Sequence, residues 1–412
     1  MNSKDRKYII LVGDGMGDYP QDFLEGKTPL EAARTPHMDT VASLGFMGWA
    51  QTVPSLCEPG SDTANLSLLG YDPLVYHTGR APFEAVSMGV RLKEGDVAFR
   101  CNLICLDHLD HEAVKMNSYS AGHISTEEAW ILINDLSGFL NLPGLSFFPG
   151  VSYRHILVWA GANSSARTLP PHDLTGQEVT DYLNYQGELE PIVKLIRQSW
   201  PFLSQHPINK ARQAGGLVPA NSIWLWGQGK TPEMPSFLDR FGLRGGVISA
   251  VDLLKGIGLS AGLEPLFVEG MTGYLDTNFR GKAKKALAFL TEKDLVYVHV
   301  EAPDEASHEG SLEKKIQAIE AFDREVVGPV LEGLSRFKAY SLLIVTDHFT
   351  PIQVMTHTRE PVPFTILRSE DQGRPARRRG FSERSAFEGE VSFLRGDQLM
   401  PWFLQFHQER PQ

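Results

Sequence analysis

The chain has 412 residues, enough for a large core arranged as two domains or as one domain with a sizeable insertion. Charged residues at 22% and hydrophobic ones at 42% exclude a disordered chain, and a net charge of −11 excludes nucleic-acid binding through broad phosphate neutralisation. The three cysteines, Cys57, Cys101 and Cys105, form neither a C-x-x-C pair nor an even framework, which excludes a zinc ribbon and a disulfide scaffold.

The opening "MNSKDRKYIILVGDG" is basic, but its apolar run is short and meets Gly13 and Asp14 at once, unlike a secretory leader. No apolar run approaches the ~18 residues of a membrane helix. The expectation is a cytoplasmic protein with no membrane partner. Residues 8–12, "YIILV", are continuously apolar, as in a strand buried on both faces of a parallel sheet. Residues 295–300 "LVYVHV", 341–345 "SLLIV" and 363–367 "PFTIL" read likewise. Helical patterns lie between them, at 28–45 "TPLEAARTPHMDTVASLG" and from Ser311 to Leu334 "SLEKKIQAIEAFDREVVGPVLEGL". This alternation predicts an α/β core, with a mainly parallel sheet flanked by helices.

The middle differs in texture. Strand-like pieces at 95–106, 111–119 and 154–162 mix with helices "STEEAWILINDLSGFL" and "GELEPIVKLIRQSWPFL". The predicted division is a core of 1–75 with 215–412, and a smaller inserted α+β domain at 76–214. The core is expected to resume at "SIWLWGQG" and "GVISAVDLLKGIG", and the Arg-rich stretch 368–390 reads as an exposed loop.

Chemistry collects where the strands end. After "YIILVG" comes Asp14. After "LVYVHV" come Asp304 and His308 in a D-x-x-x-H spacing, which acts together only on one helical turn. After "SLLIVT" come Asp347 and His348, with His357 nine residues later. Three Asp and three His on one sheet edge would repel and desolvate badly unless divalent cations bound them. Six such side chains exceed one tetrahedral site, so a pair of ions roughly 3.5–4 Å apart is the natural reading. In "CEPGSDTANLSLLGYDP", Ser61 stands where a helix N-cap or a nucleophile at a helix N-terminus would stand. "VGDGMGD" fails the dinucleotide pattern, because Asp18 occupies the place of its third glycine.

The motifs "GDGMGD", "GKTPLEAARTPHMD", "PGSDTANLSLLGYDP", "TGRAPFEA", "GDVAFRCN", "EAPDEASHEG" and "TDHFTP…THT" occur in order from about residue 8 to about 367. In these the chain resembles the archaeal-type, cofactor-independent phosphoglycerate mutases of the alkaline phosphatase superfamily. The resemblance implies an alkaline-phosphatase-like core and phosphoryl transfer through a phosphoserine on Ser61. That reaction interconverts 3-phosphoglycerate and 2-phosphoglycerate in glycolysis and gluconeogenesis without added bisphosphoglycerate. It also implies two divalent ions, Mn²⁺ first with Mg²⁺, Zn²⁺ or Co²⁺ as alternatives. Asp14, Ser61, Asp347 and His348 would hold one ion; Asp304, His308 and His357 would hold the other. The inserted domain would bind the small phosphorylated hydroxy acid and close over it.

One stretch departs from the family pattern. Where an acidic residue and Arg-Ala-Gly-Arg are expected, the chain reads "MNSYSAGHIS", with Ser120 and His123 in place of the arginines. Two bidentate anion contacts are lost there. Arg80, Arg100 and Arg154 remain as anion-binding candidates, and His123 as a proton shuttle or a cap for the following helix. The same variant resembles a branch proposed to phosphorylate homoserine, which is the alternative reading.

Overall fold

The computed structural model describes residues 6–108 and 113–405. Its strands, in chain order, are β1 (Lys7–Gly13), β2 (Phe46–Ala50), β3 (Asp96–His108), β4 (Val114–Ser118), β5 (Leu145–Phe148), β6 (Arg154–Ala160) and β7 (Ser222–Gly229). Then follow β8 (Gly245–Ile248), β9 (Glu264–Pro265), β10 (Leu295–Val300), β11 (Tyr340–Thr346), β12 (Val362–Arg368) and β13 (Val391–Phe393). The chain divides into two compact units, Met1–His77 with Glu233–Gln412, and Thr78–Pro232.

The first unit is built on an eight-stranded sheet in the order β13-β2-β12-β11-β1-β10-β8-β9. Strand β12 runs antiparallel to both neighbours, and the other pairings are parallel. The continuous apolar runs explain the centre: Ile9, Ile10, Leu11 and Val12 are fully buried, as are Val296, Val298, Leu342 and Ile344. Each such side chain contributes about 1.5–3 kcal/mol by leaving water. Parallel register then does something specific. Gly13 pairs with Val300 on one side and Thr346 on the other, so three strands leave the sheet at one level. Every residue just beyond those ends is delivered to one edge.

Two helical readings need correction. The 28–45 segment is two helices, Pro29–Ala32 and Pro36–Leu44, because Pro36 forces Thr35 out of helical geometry. The 311–334 segment starts as expected, with the Ser311 side chain accepting from the Lys314 amide, but a π turn at Asp323–Val327 interrupts it. That wider turn carries Asp323 beneath the second helix, where its carboxylate accepts from the amides of Met38 at 2.7 Å and His37 at 3.3 Å.

The second unit holds a five-stranded sheet, β4-β3-β6-β5 with β7 also on β3. Helices Thr126–Leu140 and Glu190–Gln205 bury Leu132, Leu136, Ile192 and Ile196 in its core. Here "SIWLWGQG" departs from expectation. It is β7, and it pairs antiparallel along β3 from Ala98 to Ile104, so the unit runs to Pro232 rather than to 214. An apolar strand suits either sheet; the pairing partner decides, and composition does not carry that. Of the segment read as a strand at 111–119, residues 114–118 form β4, and His111 and Glu112 lie outside the described residues.

The 368–390 stretch is not simply an exposed loop. Phe381 and Glu383 are buried, and Arg368 pairs with Asp371 at 2.9 Å. Arg379 donates to the carbonyls of Ala42 and Gly45, and Arg377 to that of Gly45, so the "RRR" run sits on the C-terminal carbonyls of helix Pro36–Leu44. Among the described residues, no helix is long and apolar enough to cross a membrane.

Candidate active site

The strand ends converge as their register requires. Asp14 follows β1 directly. Helix Ala302–His308 follows β10 and puts Asp304 and His308 one turn apart, with His308 Nε2 3.2 Å from Asp304 Oδ2. Asp347 and His348 follow β11, and the loop after them returns His357 to within 3.2 Å of His308, Nε2 to Nε2. The His348 and His357 rings lie 4.2 Å apart, and His357 Nε2 is 3.6 Å from Asp304 Oδ1.

Ser61 joins this group from the first turn of helix Ser61–Leu68, with its Oγ 3.1 Å from His348 Nε2. It is not the N-cap. Gly60 takes that position, which leaves the Ser61 hydroxyl turned to the histidine instead of to the helix amides. His348 Nε2 is also 3.3 Å from Asp14 Oδ1. All seven expected side chains therefore lie in one connected cluster.

Close backbone approach makes room for them. Gly15 has φ +61°, and a Cβ there would stand 2.6 Å from both Asp304 Oδ1 and Thr350 Oγ1. The Gly15 backbone amide donates to Asp347 Oδ1 at 3.1 Å, and the Asn65 side-chain Nδ2 donates to Asp347 Oδ2 at 2.8 Å. Thr350 spans the cluster: its hydroxyl donates to Asp304 and lies 3.1 Å from His348 Nδ1.

The electrostatics are those of crowded, dry charge. Burial, then the nearby charges of Asp347 and Asp304, push the Asp14 carboxyl well above its ordinary range. Burial would raise Asp304 too, but the His357 and His308 imidazoles hold it well below the usual carboxylate range. Burial pulls His348 down to about 4, so its imidazole is neutral and ready to donate a lone pair. His308 goes the other way, to about 9: burial opposes its charge, but Asp304 outweighs that.

This donor set fits divalent cations. Asp14, Asp347 and His348 offer one three-atom group, and Asp304, His348 and His357 offer a second, His348 being common to both. Asp14 Oδ1 is buried and makes no hydrogen bond, an arrangement that a bound cation would relieve. Carboxylate and imidazole together suit Mn²⁺, Zn²⁺ and similar ions.

A separate buried pair keeps the carrying loops in place. Lys315, on helix Leu312–Phe322, donates to Asp18 Oδ2 at 2.8 Å and to the carbonyls of Gly17 and Thr350, and both side chains are wholly buried. This ties the 14–19 turn to the loop bearing His348 and His357. Lys315→Met is expected to cost about 3–5 kcal/mol, because it strands the Asp18 charge. Urea unfolding of the two proteins measures it, and a loss below about 1 kcal/mol contradicts the role given to this pair.

Comparison with known proteins settles the kinship. Residues 42–209 match the family model for 2,3-bisphosphoglycerate-independent phosphoglycerate mutase. A Geobacter sulfurreducens protein, named a probable mutase of this kind, is 50% identical over 97% of this chain and 99% of its own. The Methanosarcina mazei 2,3-bisphosphoglycerate-independent phosphoglycerate mutase is 50% identical over 96% of this chain and 98% of its own. The chain belongs to the 2,3-bisphosphoglycerate-independent phosphoglycerate mutase family. Among solved structures, the cofactor-independent phosphoglycerate mutase of Thermoplasma acidophilum shares the fold, with a TM-score of 0.62 at 26% identity, over 97% of this chain and 99% of that one. A Pyrococcus horikoshii protein reaches 0.80 at 29% identity, over 99% of each chain. The α/β fold expected from the sequence is that of this mutase family.

The substrate candidates all lie in the second unit. Arg100, buried on β3, sits 2.9 Å from Glu84 Oε2 with its guanidinium 4.2 Å over the Trp226 ring, and burial lowers its pKa to about 10. Arg80 shares that Glu84 at 2.9 Å. Arg154 is exposed beside Tyr153, at 5.7 Å from its ring centre, and the exposed His123 ring meets Tyr153 at 6.0 Å. His123 has φ +54° and does not cap the next helix; Ser125 does, accepting from the Glu128 amide. Arg80 with Arg100, and Arg154 with His123, thus form two pairs.

Sequence reasoning missed three residues next to the cluster: His299, Glu301 and Lys282. His299 sits inside an apolar strand, and its Nε2 is 3.2 Å from Asp347 Oδ2. Its place as the last residue but one of a ligand-bearing strand was the available signal.

Proposed function

We propose that this chain is a metal-dependent isomerase that interconverts 3-phosphoglycerate and 2-phosphoglycerate through a phosphoserine on Ser61. The observation that carries the reading is the Ser61 hydroxyl, at a helix N-terminus and 3.1 Å from His348 Nε2, within a cluster of six Asp and His side chains. Near-full-length relatives bearing the mutase name favour it over phosphoryl transfer to an amino acid.

Asp14, Ser61, Asp347 and His348 would hold one divalent cation and Asp304, His308 and His357 the other, with Mn²⁺ the proposed metal. Such ions supply charge neutralisation for the phosphoryl oxygens. The chain's own part begins with Ser61 Oγ, which attacks phosphorus in line. Ser61 Oγ gives up its proton as the Oγ–P bond forms, the bond from phosphorus to the glycerate oxygen breaks, and that oxygen takes up a proton. The other glycerate hydroxyl then attacks the phosphoserine and loses its proton, the Oγ–P bond breaks, and Ser61 Oγ takes a proton back. The helix N-terminus favours the anion at each stage. Arg80, Arg100, Arg154 and His123 are the proposed anion-binding and proton-handling groups of the second unit.

The test is a product assay. Purified, Mn²⁺-loaded protein given 3-phosphoglycerate alone should form 2-phosphoglycerate, followed by ³¹P NMR. Release of inorganic phosphate alone, or transfer only when homoserine is added, overturns the reading.

A further inference from the structure

Behind the cluster runs a file of buried charge that phosphoryl transfer itself does not use. His299, on β10 and fully buried, has its Nε2 3.2 Å from Asp347 Oδ2 and 3.6 Å from Asp14 Oδ2. Its Nδ1 lies 3.5 Å from Glu301 Oε1. That same oxygen accepts from Ser249 Oγ and the Ala250 amide, each at 2.7 Å. Glu301 Oε2 accepts from Lys282 Nζ at 2.7 Å, and Lys282 also donates to the His299 carbonyl at 2.9 Å. Lys282 and Glu301 are 0% and 2% exposed.

Burying three ionisable groups has a desolvation cost that packed apolar residues would avoid. The geometry indicates what is gained. Two carboxylates, Asp14 and Asp347, approach each other in a dry site, and unaided they would splay or share a proton. His299 faces the Oδ2 atoms of both, while Asp14 Oδ1 is left unbonded towards His348 Nε2. Glu301 faces the imidazole from behind at 3.5 Å, a charge contact without a hydrogen bond to Nδ1, and Lys282 fixes Glu301. This is how an outer residue orients ligands before a metal arrives.

We infer that His299, backed by Glu301 and Lys282, is a positioning residue that preforms the Asp14–Asp347 pair for a divalent cation. The inference rests on the metal-site reading above. It assigns to His299 an effect on affinity at this site and none at the site of Asp304, His308 and His357.

Mn²⁺ titration, followed by the electron paramagnetic resonance of the free ion, tests it. In an Asp304→Asn background, which breaks the group of Asp304, His348 and His357, the Asp14 site is read alone. There, His299→Leu should weaken Mn²⁺ binding by about 10–100-fold. His299→Gln, whose amide nitrogen falls near the place of Nε2, should recover most of that loss, and His299→Asn, which mimics only the Nδ1 side, should not. In the otherwise native protein the second site should keep its affinity. Equal affinity across Leu, Gln, Asn and their parent overturns the inference, as does equal weakening of both sites. Should the Leu variant fail to fold, the Gln and Asn variants decide, and identical affinities there overturn it. A parent that binds no Mn²⁺ at all removes the metal-site reading itself, and this inference with it.

Discussion

Ser61→Ala should lower turnover by about 10⁴-fold or more while leaving the protein folded and still able to bind Mn²⁺. The first part follows from covalent chemistry: with no hydroxyl at this position there is no acceptor for the phosphoryl group, and an isomerase that works through a phosphoserine has no second route. The second part follows from the geometry. Ser61 begins helix Ser61–Leu68 but does not cap it, and its Oγ contact is to His348. Removing one oxygen at a helix start of this kind should change stability by only about 0.5 kcal/mol. Mass spectrometry of the native protein after brief exposure to 3-phosphoglycerate should reveal one added phosphoryl group, absent in the variant. An alanine variant that turns over at the native rate removes Ser61 from the mechanism.

Asp304→Asn should reduce bound Mn²⁺ from two ions to one and lower the rate by about 10³-fold, the equivalent of several kcal/mol of transition-state stabilisation. Asp304 lies close to both His308 and His357, at 3.2 and 3.6 Å, and its negative charge is held by those rings against the pull of burial. An amide of the same shape keeps the packing but presents no full charge, and two imidazoles without a carboxylate hold Mn²⁺, which prefers oxygen ligands, poorly. Elemental analysis after gel filtration counts the metal, and ³¹P NMR measures the rate. A variant retaining two ions and native turnover shows that Asp304 does not hold a metal.

The parts of this molecule that could be read from sequence are those where one strong local cause acts. The runs "YIILV", "LVYVHV" and "SLLIV" are too apolar to lie anywhere but the middle of a sheet, and strands β1, β10 and β11 sit there. Because strand ends fall together in a parallel sheet, the acids and imidazoles just beyond them could be grouped without any coordinates. What stayed hidden depends on partners far along the chain. "SIWLWGQG" joins β3 instead of the larger sheet, a choice set by pairing over more than a hundred residues. The Arg-rich stretch looked solvated because its acceptors, the carbonyls of Ala42 and Gly45, belong to the other end of the sequence. Residue type alone left Ser61 open as a cap or a nucleophile, whereas the orientation of Oγ towards His348 is a tertiary fact. His299 was overlooked for the opposite reason: inside an apolar strand, an imidazole reads as a packing element until its neighbours are known.

The central position of β1 has a consequence for how the protein is made. Its two sheet neighbours come from residues 295–300 and 340–346, so β1 leaves the ribosome and has no partner until nearly three hundred further residues have been added. Pairing over such distances is slow, and an unpaired apolar strand is prone to stick to other chains. A nascent chain halted before β11 would lack one wall of β1 and also Asp347, His348 and His357. Synthesis therefore yields no half-competent enzyme: the reactive centre appears late, when the closing strand docks.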